Sequence, residues 1–356
     1  MTGLPQPSAE LGLREGYHSP QVDVEVRLNT NESPYPPPPE WYEALAGELG
    51  DIALNRYPDR EATRLRGALA QWHGVGAAQV FAANGSNEVL QCIYLAYGGP
   101  GRKVLIFEPT YALHSHIAHL TGTEVVQAPR AGDFSVDATV AVELVRKERP
   151  AMVMLCSPNN PTGTPEKRET VLEILDAAAG EALVVVDEAY GQFASWSAID
   201  LVADDVALAV VRTYSKTWGM AGLRLGYTVA PSPVVEVLGR VALPYHLDSL
   251  KQAAGRLALQ FSAHMEAHVS AIVSERQRLV DELSRLDVDV WPSEANFVLW
   301  RPRKKGASQV WQELVGRSVL VRDISSAPGL AGYLRTTVGA PEENSRFLAA
   351  VTEVLS

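Results

Sequence analysis

The sequence of 356 residues is poor in cysteine, in positive charge and in long apolar segments, and each shortage excludes a class of protein. Its two cysteines, Cys92 and Cys156, each lie in an apolar run, so we expect reduced core residues and not a disulfide scaffold. With 31 lysines and arginines against 42 aspartates and glutamates, the net charge of −11 argues against a nucleic-acid groove or a polybasic membrane anchor. No apolar run approaches the roughly 20 residues of a membrane helix.

Signals for export and for metal binding are also missing. The first ten residues lack the basic and apolar stretches of a secretory signal, so we expect a cytoplasmic protein with no membrane or nucleic-acid partner. No spacing such as the His-Glu-x-x-His motif occurs, and we therefore expect no metal site. We interpret His114, His116 and His119 as packing or surface groups.

In the middle of the chain, short apolar runs alternate with helical patterns. The runs are apolar at nearly every position, which is typical of strands that are buried on both faces of a parallel sheet. The sequence therefore predicts an α/β core with helices on both sides of the sheet. The main predicted strands lie at residues 104–108, 124–126, 151–156, 183–186 and 207–211.

The two ends of the chain differ from this core. Residues 1–40 are rich in proline, asparagine and serine, which favours an arm laid across a surface. Residues 250–286 carry a helical pattern with few breakers, typical of one bent helix. The shorter strand and helix patterns beyond it predict a smaller α+β domain.

Two polar segments directly follow predicted strands, at the edge where open α/β sheets bind ligands. Residues 157–163 present Asn160 either as a neutral hydrogen-bond donor in a proline-stiffened loop or as part of an ordinary turn. Asp187 ends the next run, where a carboxylate is costly unless a cation or donor pairs with it, although it could instead cap a helix. Tyr190 lies beside Asp187 if the chain turns helically.

Two further segments have the chemistry of a nucleophile and of an anion site. Lys216 follows another run, and partial burial there would lower its pKa and make its amine a nucleophile, whereas most lysines are solvated. The hydroxyls of Thr213 and Ser215 and the guanidinium of Arg224 are groups that bind phosphate. Residues 84–88 open a helix that either offers free N–H groups to an anion or forms a simple capping box with Ser86 as the cap.

Together these groups are the parts that hold pyridoxal phosphate: a lysine amine, an acid for the ring nitrogen, partners for the ring hydroxyl and a phosphate cup. The sequence resembles the fold-type I pyridoxal-phosphate aminotransferases over nearly its whole length, and within them the histidinol-phosphate aminotransferases. The resemblance is carried by residues 28–34, 55–59, 84–88, 108–111, 157–163, 187–190, 215–216, 223–227, 243–247 and 333–335.

This resemblance implies a domain plan and an activity. The plan is an N-terminal arm (1–40) against the small domain or the dimer partner, a large cofactor-binding domain (41–245) with a mostly parallel seven-stranded sheet, and a small α+β domain (246–356). The activity is amino-group transfer between histidinol phosphate and 2-oxoglutarate in histidine biosynthesis, by a ping-pong reaction, in a homodimer with shared active sites. An aromatic, phenylalanine-type aminotransferase and a phosphothreonine decarboxylase share most of the motifs and stay open as alternatives.

The resemblance also implies roles for individual residues. Lys216 would form the Schiff base with the cofactor, with Asp187 and Tyr190 as its catalytic partners. Arg335, Tyr17 and Asn31 would bind the substrate. The implied cofactor-binding residues are Gly85, Ser86, Asn87, Tyr111, Asn160, Asp187, Tyr190, Thr213, Ser215, Lys216, Arg224 and the partner subunit's Tyr57.

Overall fold

The computed structural model describes residues 21–356, in which strands and helices form two sheets with separate cores. The strands are β1 (Val26–Leu28), β2 (Val80–Ala83), β3 (Lys103–Glu108), β4 (Glu124–Pro129), β5 (Met152–Cys156), β6 (Leu183–Asp187), β7 (Leu208–Thr213), β8 (Gly226–Val229), β9 (Val288–Val290), β10 (Phe297–Pro302), β11 (Val319–Asp323) and β12 (Leu334–Thr337). The α-helices are α1 (Pro39–Leu49), α2 (Thr63–His73), α3 (Ser86–Tyr97), α4 (Leu113–Leu120), α5 (Ala138–Glu148), α6 (Arg168–Ala178), α7 (Ser232–Val241), α8 (Ser249–Ala258), α9 (Ser262–Leu283), α10 (Ala307–Val315) and α11 (Pro341–Leu355).

The larger sheet has seven strands in the order β2-β8-β7-β6-β5-β3-β4. All pairs are parallel except the two that involve β8, so the prediction of a mostly parallel seven-stranded sheet is confirmed. Successive side chains of a strand point to opposite faces. In β6, Val184 and Val186 pack in one core and Val185 in the core on the other side, which explains why the run is apolar at every position.

The smaller sheet has five strands in the order β1-β11-β12-β10-β9. Strand β1, which lies in the predicted arm, pairs in parallel with β11 at the edge of this sheet. Its residues Val26 and Leu28 are buried with side chains of β10, α9 and α11 in one core. This part of the arm is therefore built into the smaller sheet.

The helical pattern at residues 250–286 is two helices, and the prediction of a single bent helix is wrong. A 3₁₀ turn at Leu259–Phe261 separates α8 from α9. The two helices contribute unequally to the two cores: Leu257 of α8 packs with the large sheet, whereas most buried residues of α9, such as Leu279, pack with the small one. Met265 also belongs to the larger core, so we propose a domain boundary within α9 and not at residues 245/246.

The structure also bears on the cysteines, on membrane-spanning helices and on metal-binding clusters. Cys92 and Cys156 are free and buried, as predicted. No helix within residues 21–356 is long and apolar enough to cross a membrane. In the same part of the chain, no group of three or more histidine, cysteine, aspartate or glutamate side chains is arranged to hold a metal ion.

Candidate active site

A pocket of about 350 Å³ opens where β5, β6 and β7 end. In the register of these parallel strands, Cys156 lies beside Asp187 and Asp187 beside Val211, so the polar residues at the strand ends meet at one edge. Most of the predicted site residues line the pocket: Asn31, Ser86, Asn87, Tyr111, Asn160, Asp187, Tyr190, Thr213, Ser215, Lys216, Arg224 and Arg335.

Lys216 presents its amine in this pocket, in the loop that follows β7. Its Nζ donates a hydrogen bond to the main-chain oxygen of Thr30 at 3.0 Å. Burial and the nearby Arg335 and Arg224 lower the pKa of Lys216 to about 8, and Glu32 opposes this shift. A substantial share of the amine is therefore neutral close to physiological pH, as a nucleophile requires.

Asp187 ends β6 with its side chain almost wholly buried at the pocket wall. Its Oδ2 lies 3.0 Å from Nε2 of His114, and its Oδ1 accepts the main-chain N–H of Ala189 at 3.1 Å. The next helical turn, Gly191–Phe193, begins after Tyr190 and has no side-chain cap. Asp187 is therefore not a helix cap, and its carboxylate is held facing the pocket.

His114 is a site residue that the sequence analysis missed. It lies in the first turn of α4 and is fully buried. The only described hydrogen bond of its side chain is the one to Asp187, since Nδ1 has no partner in the described residues. The interpretation of His114 as a packing or surface group is wrong, because the histidine orients the carboxylate. The available signal was its position three residues after Tyr111, at the same edge of the sheet.

The start of α3 forms an anion cradle together with Arg224. Gly85 has a φ of +84°, and a Cβ there would lie 2.9 Å from Nη2 of Arg224, so glycine lets the guanidinium reach the helix end. Gly226 of β8 lets Ser86 approach the sheet, since a Cβ at 226 would lie 2.2 Å from the Ser86 nitrogen. No side chain caps this helix, and the capping box with Ser86 as the cap is wrong. The first N–H groups of α3 are thus available to an anion.

Hydroxyl groups complete this cradle. Nη1 of Arg224 donates to Oγ of Ser215 at 3.2 Å, and Oγ1 of Thr213 donates to the same oxygen at 3.1 Å. Thr213 and Ser215 flank Tyr214, so their side chains leave the chain on the same side. A guanidinium, two hydroxyls and a helix start are a typical set of phosphate ligands.

Residues of the smaller sheet and of the arm close the other side of the pocket. Arg335 of β12 donates to Oδ1 of Asn160 at 2.6 Å and to the main-chain oxygen of Asn29 at 2.9 Å. The side chain of Asn31 donates to the hydroxyl of Tyr190 at 2.9 Å. Burial raises the pKa of Tyr190, which keeps this hydroxyl protonated as a donor. The pocket thus lies between the two sheets.

Three predicted site residues are not among the pocket-lining side chains. Gly85 supports the cradle from behind. Tyr57 lies on the surface with 80% of its area exposed and stacks on Tyr245, with ring centroids 4.4 Å apart. Tyr17 lies outside the described residues. Lining residues that were not predicted are Thr30, Glu32, Cys156, Ala189, Ala221 and Gly222.

Comparisons with known proteins agree with this architecture. The model of the family "Aminotransferase class I and II" matches residues 23–351. The histidinol-phosphate aminotransferase of Thermobifida fusca is 48% identical over 94% of this chain and 91% of its own length, and that of Corynebacterium diphtheriae is 44% identical over 97% and 95%. The structure of histidinol-phosphate aminotransferase from Sinorhizobium meliloti in complex with pyridoxal-5'-phosphate has a TM-score of 0.90 at 24% identity, covering 99% of this chain and 98% of that one, and so shows the same fold. The chain belongs to the class I and II aminotransferase family.

Proposed function

We propose that the protein is a pyridoxal-phosphate-dependent aminotransferase of histidine biosynthesis. It transfers the amino group of histidinol phosphate to 2-oxoglutarate and forms imidazole acetol phosphate and glutamate. The observation that carries this proposal is the identity of 42–48% with histidinol-phosphate aminotransferases over at least 94% of this chain. The chemistry of the pocket supports it independently.

The residues around the pocket fit pyridoxal phosphate. The bare helix start at Gly85, with Arg224 against it, suits a phosphate dianion. Lys216 offers an amine of lowered pKa, and Asp187 offers a buried carboxylate oriented by His114. When bound, this cofactor supplies an electron sink for the charge that develops at the substrate α-carbon.

Each side chain then has a definable task. The amine of Lys216 would hold the cofactor covalently and would take and return the proton of the substrate α-carbon. The Asp187 carboxylate would pair with the ring nitrogen. The side chains of Asn160 and Tyr190 would donate to the ring hydroxyl, and Tyr111 would contact the ring. The phosphate would be bound by Gly85, Ser86, Asn87, Thr213, Ser215 and Arg224.

Arg335 is the substrate-binding cation in this proposal. Glutamate and 2-oxoglutarate have an α-carboxylate, whereas histidinol phosphate has a phosphate and no carboxylate. A guanidinium binds either oxyanion through a two-pronged hydrogen bond, so one residue serves both half-reactions. Arg335 already donates to two oxygens, of Asn160 and Asn29, which an incoming oxyanion replaces. Asn31 would lie toward the imidazole end of the substrate, and the expected contribution of Tyr17 falls outside the described residues.

We further propose that the enzyme is a cytoplasmic homodimer. The apolar side chains of Leu54, Tyr57 and Leu243 are 75–86% exposed, and Tyr57 stacks on Tyr245, two residues after Leu243. Contiguous apolar surface of this kind can be covered by a second subunit. In the dimer, the partner subunit's Tyr57 reaches the phosphate cradle, and each site is complete only with the second chain. The two free buried cysteines are consistent with a reducing compartment.

A substrate panel tests the proposed reaction. The purified enzyme with its cofactor is given 2-oxoglutarate and either histidinol phosphate or phenylalanine, and glutamate formation is followed. We expect the higher kcat/KM for histidinol phosphate. A preference for phenylalanine would instead identify an aromatic aminotransferase, and CO₂ release from O-phosphothreonine would identify a decarboxylase.

A further inference from the structure

Glu32 is the one acidic lining residue of the described pocket that the proposed function leaves without a task. The charged groups lining the described pocket are Lys216, Arg224 and Arg335 against Asp187 and Glu32. The proposed reaction uses the three cations for the Schiff base, the cofactor phosphate and the substrate oxyanion, and it uses Asp187 for the ring nitrogen. Glu32 therefore faces the pocket with a carboxylate available to a ligand.

The arm holds this carboxylate in a defined position. The hydroxyl of Thr30 donates to Oε2 of Glu32 at 3.0 Å, while the main-chain oxygen of the same residue accepts from Lys216. Asn31, with a φ of +55°, directs its side chain to Tyr190 and Thr337. The two residues before Glu32 are thus tied to the pocket.

The second oxygen of the carboxylate is open. Glu32 is exposed, it forms no ion pair among residues 21–356, and only Oε2 has a described hydrogen bond. Its charge nevertheless reaches the interior of the pocket, since it raises the pKa of Lys216 against the effect of burial. A group that enters the pocket therefore meets a negative hydrogen-bond acceptor near the catalytic amine.

The position of Glu32 determines which part of the amino donor it can contact. The amino group of the donor must lie at Lys216 and its oxyanion at Arg335, so the group left to meet a carboxylate at the arm is the side-chain ring. An imidazole ring has an N–H donor, whereas a phenyl ring has none. Resting on the proposed function, we infer that Glu32 is a specificity residue whose Oε1 accepts a hydrogen bond from the imidazole N–H of the substrate.

The physical basis is the cost of leaving a charged acceptor without a partner. When an imidazole donor binds, the carboxylate exchanges water for the ring N–H. When a phenyl ring binds in its place, the carboxylate loses water and gains nothing, and sites that hydrogen-bond their substrate reject analogues on this ground. Glu32 thus favours an imidazole over a phenyl ring of similar size.

Half-reactions in single turnover test the inference. Holoenzyme is mixed with histidinol phosphate or with phenylalanine, and the second-order rate constant of amino transfer is measured spectroscopically for the wild type, Glu32→Ala and Glu32→Gln. We expect Glu32→Ala to lower the constant for histidinol phosphate about 10- to 100-fold, as for loss of a hydrogen bond to a charged group, and to leave that for phenylalanine within about twofold. The rate constant of Glu32→Gln with histidinol phosphate should lie between those of the wild type and Glu32→Ala, because the amide keeps the acceptor oxygen and loses the charge.

Comparing the two donors separates a contact with the imidazole from a general electrostatic effect. Glu32 also raises the pKa of Lys216, which every donor meets, so a purely electrostatic role would change both rate constants alike and would overturn the inference, as would no change in either. Glu25→Gln, at an exposed glutamate of the arm paired with Arg346, is the matched control and should leave both constants unchanged. A wild type that uses phenylalanine and not histidinol phosphate would contradict the proposed function itself, before any variant is compared.

Discussion

The large sheet carries a lysine at each of its two edges, and the two lysines have opposite properties. At the carboxyl edge, Lys216 is surrounded by protein, and burial with two nearby arginines lowers its pKa to about 8. At the opposite edge, Lys103 begins β3 in a surface groove and pairs with Glu148 at 2.9 Å. That hydrogen bond and charge raise the pKa of Lys103.

Neither a large cavity volume nor a basic lining is enough to make a ligand-binding site. The groove at Lys103 has about 710 Å³, twice the volume of the candidate active site, and is lined by several basic residues. Two of the four cations that line it are paired with carboxylates: Lys103 with Glu148 and Glu124, and Arg149 with Glu181. Exposed ion pairs of this kind are screened by water and contribute little to the stability of the fold. At the carboxyl edge, by contrast, burial and like charges leave reactive groups open to a ligand.

Replacing the two lysines should give the largest contrast. Lys216→Ala removes both the nucleophile and the proton carrier, so we expect transamination to fall at least about 10⁴-fold and covalent attachment of the cofactor to disappear. Lys103→Ala should change activity less than about twofold. The absorbance of the holoenzyme and borohydride reduction followed by mass spectrometry report the attachment. If Lys216→Ala kept both its activity and the borohydride-fixed cofactor, the proposed role of Lys216 would be wrong.

The carboxylates at the two edges should differ in the same way. Asp187→Ala removes the partner of the ring nitrogen and leaves His114 without its hydrogen bond, so we expect kcat to fall about 10²-fold or more, with a smaller change in KM. Glu148→Gln, at the opposite edge, should leave kcat within about twofold. Steady-state kinetics at saturating cofactor measure both, and a near-normal kcat in Asp187→Ala would exclude the ring-nitrogen role.

The pKa of Lys216 predicts how the site responds to pH. Because burial lowers this pKa to about 8, the amine is mostly protonated below pH 8 and mostly neutral above it. Its neutral fraction rises about tenfold between pH 7 and pH 9 and then levels off. We expect the rate at which cofactor-free protein binds pyridoxal phosphate covalently to follow this curve. Surface lysines such as Lys103 should show no levelling in this range, and Lys216→Ala supplies that background. A rate that still rises steeply beyond pH 9 would contradict the lowered pKa.

The smallest effect concerns the partner subunit. If Tyr57 reaches the neighbouring phosphate cradle, Tyr57→Phe removes one hydrogen bond, and we expect the Kd for pyridoxal phosphate to rise about two- to tenfold. Tyr42→Phe, at another exposed tyrosine, is the control and should leave the Kd unchanged. Fluorescence titration of the dimer measures both variants. An unaltered Kd in Tyr57→Phe would mean that the cradle is complete within one chain.

Much of the site could be predicted because it lies at strand ends. Asp187, Thr213 and Asn160 each close or follow an apolar run, and parallel strands bring such positions together. His114 was not found this way, because its partner Asp187 lies 73 residues further along the chain. Its position three residues after Tyr111 indicates the right end of the sheet but does not identify that partner. The break between α8 and α9 was missed because no glycine or proline marks the 3₁₀ turn at Leu259–Phe261.

By itself, the sequence determined the α/β class and the residue types of the cofactor site, because hydrophobic period and strand-end chemistry are local properties. The count of seven strands came from the resemblance to the family and not from the hydrophobic pattern. The tertiary structure alone decided the contacts that depend on two distant segments. It set the pairing of His114 with Asp187, the placing of Glu32 and Arg335 from the arm and β12 around one pocket, and the burial that lowers the pKa of Lys216. These are decided only when the chain is folded, because burial and charge–charge distance belong to the assembled protein and not to any one segment.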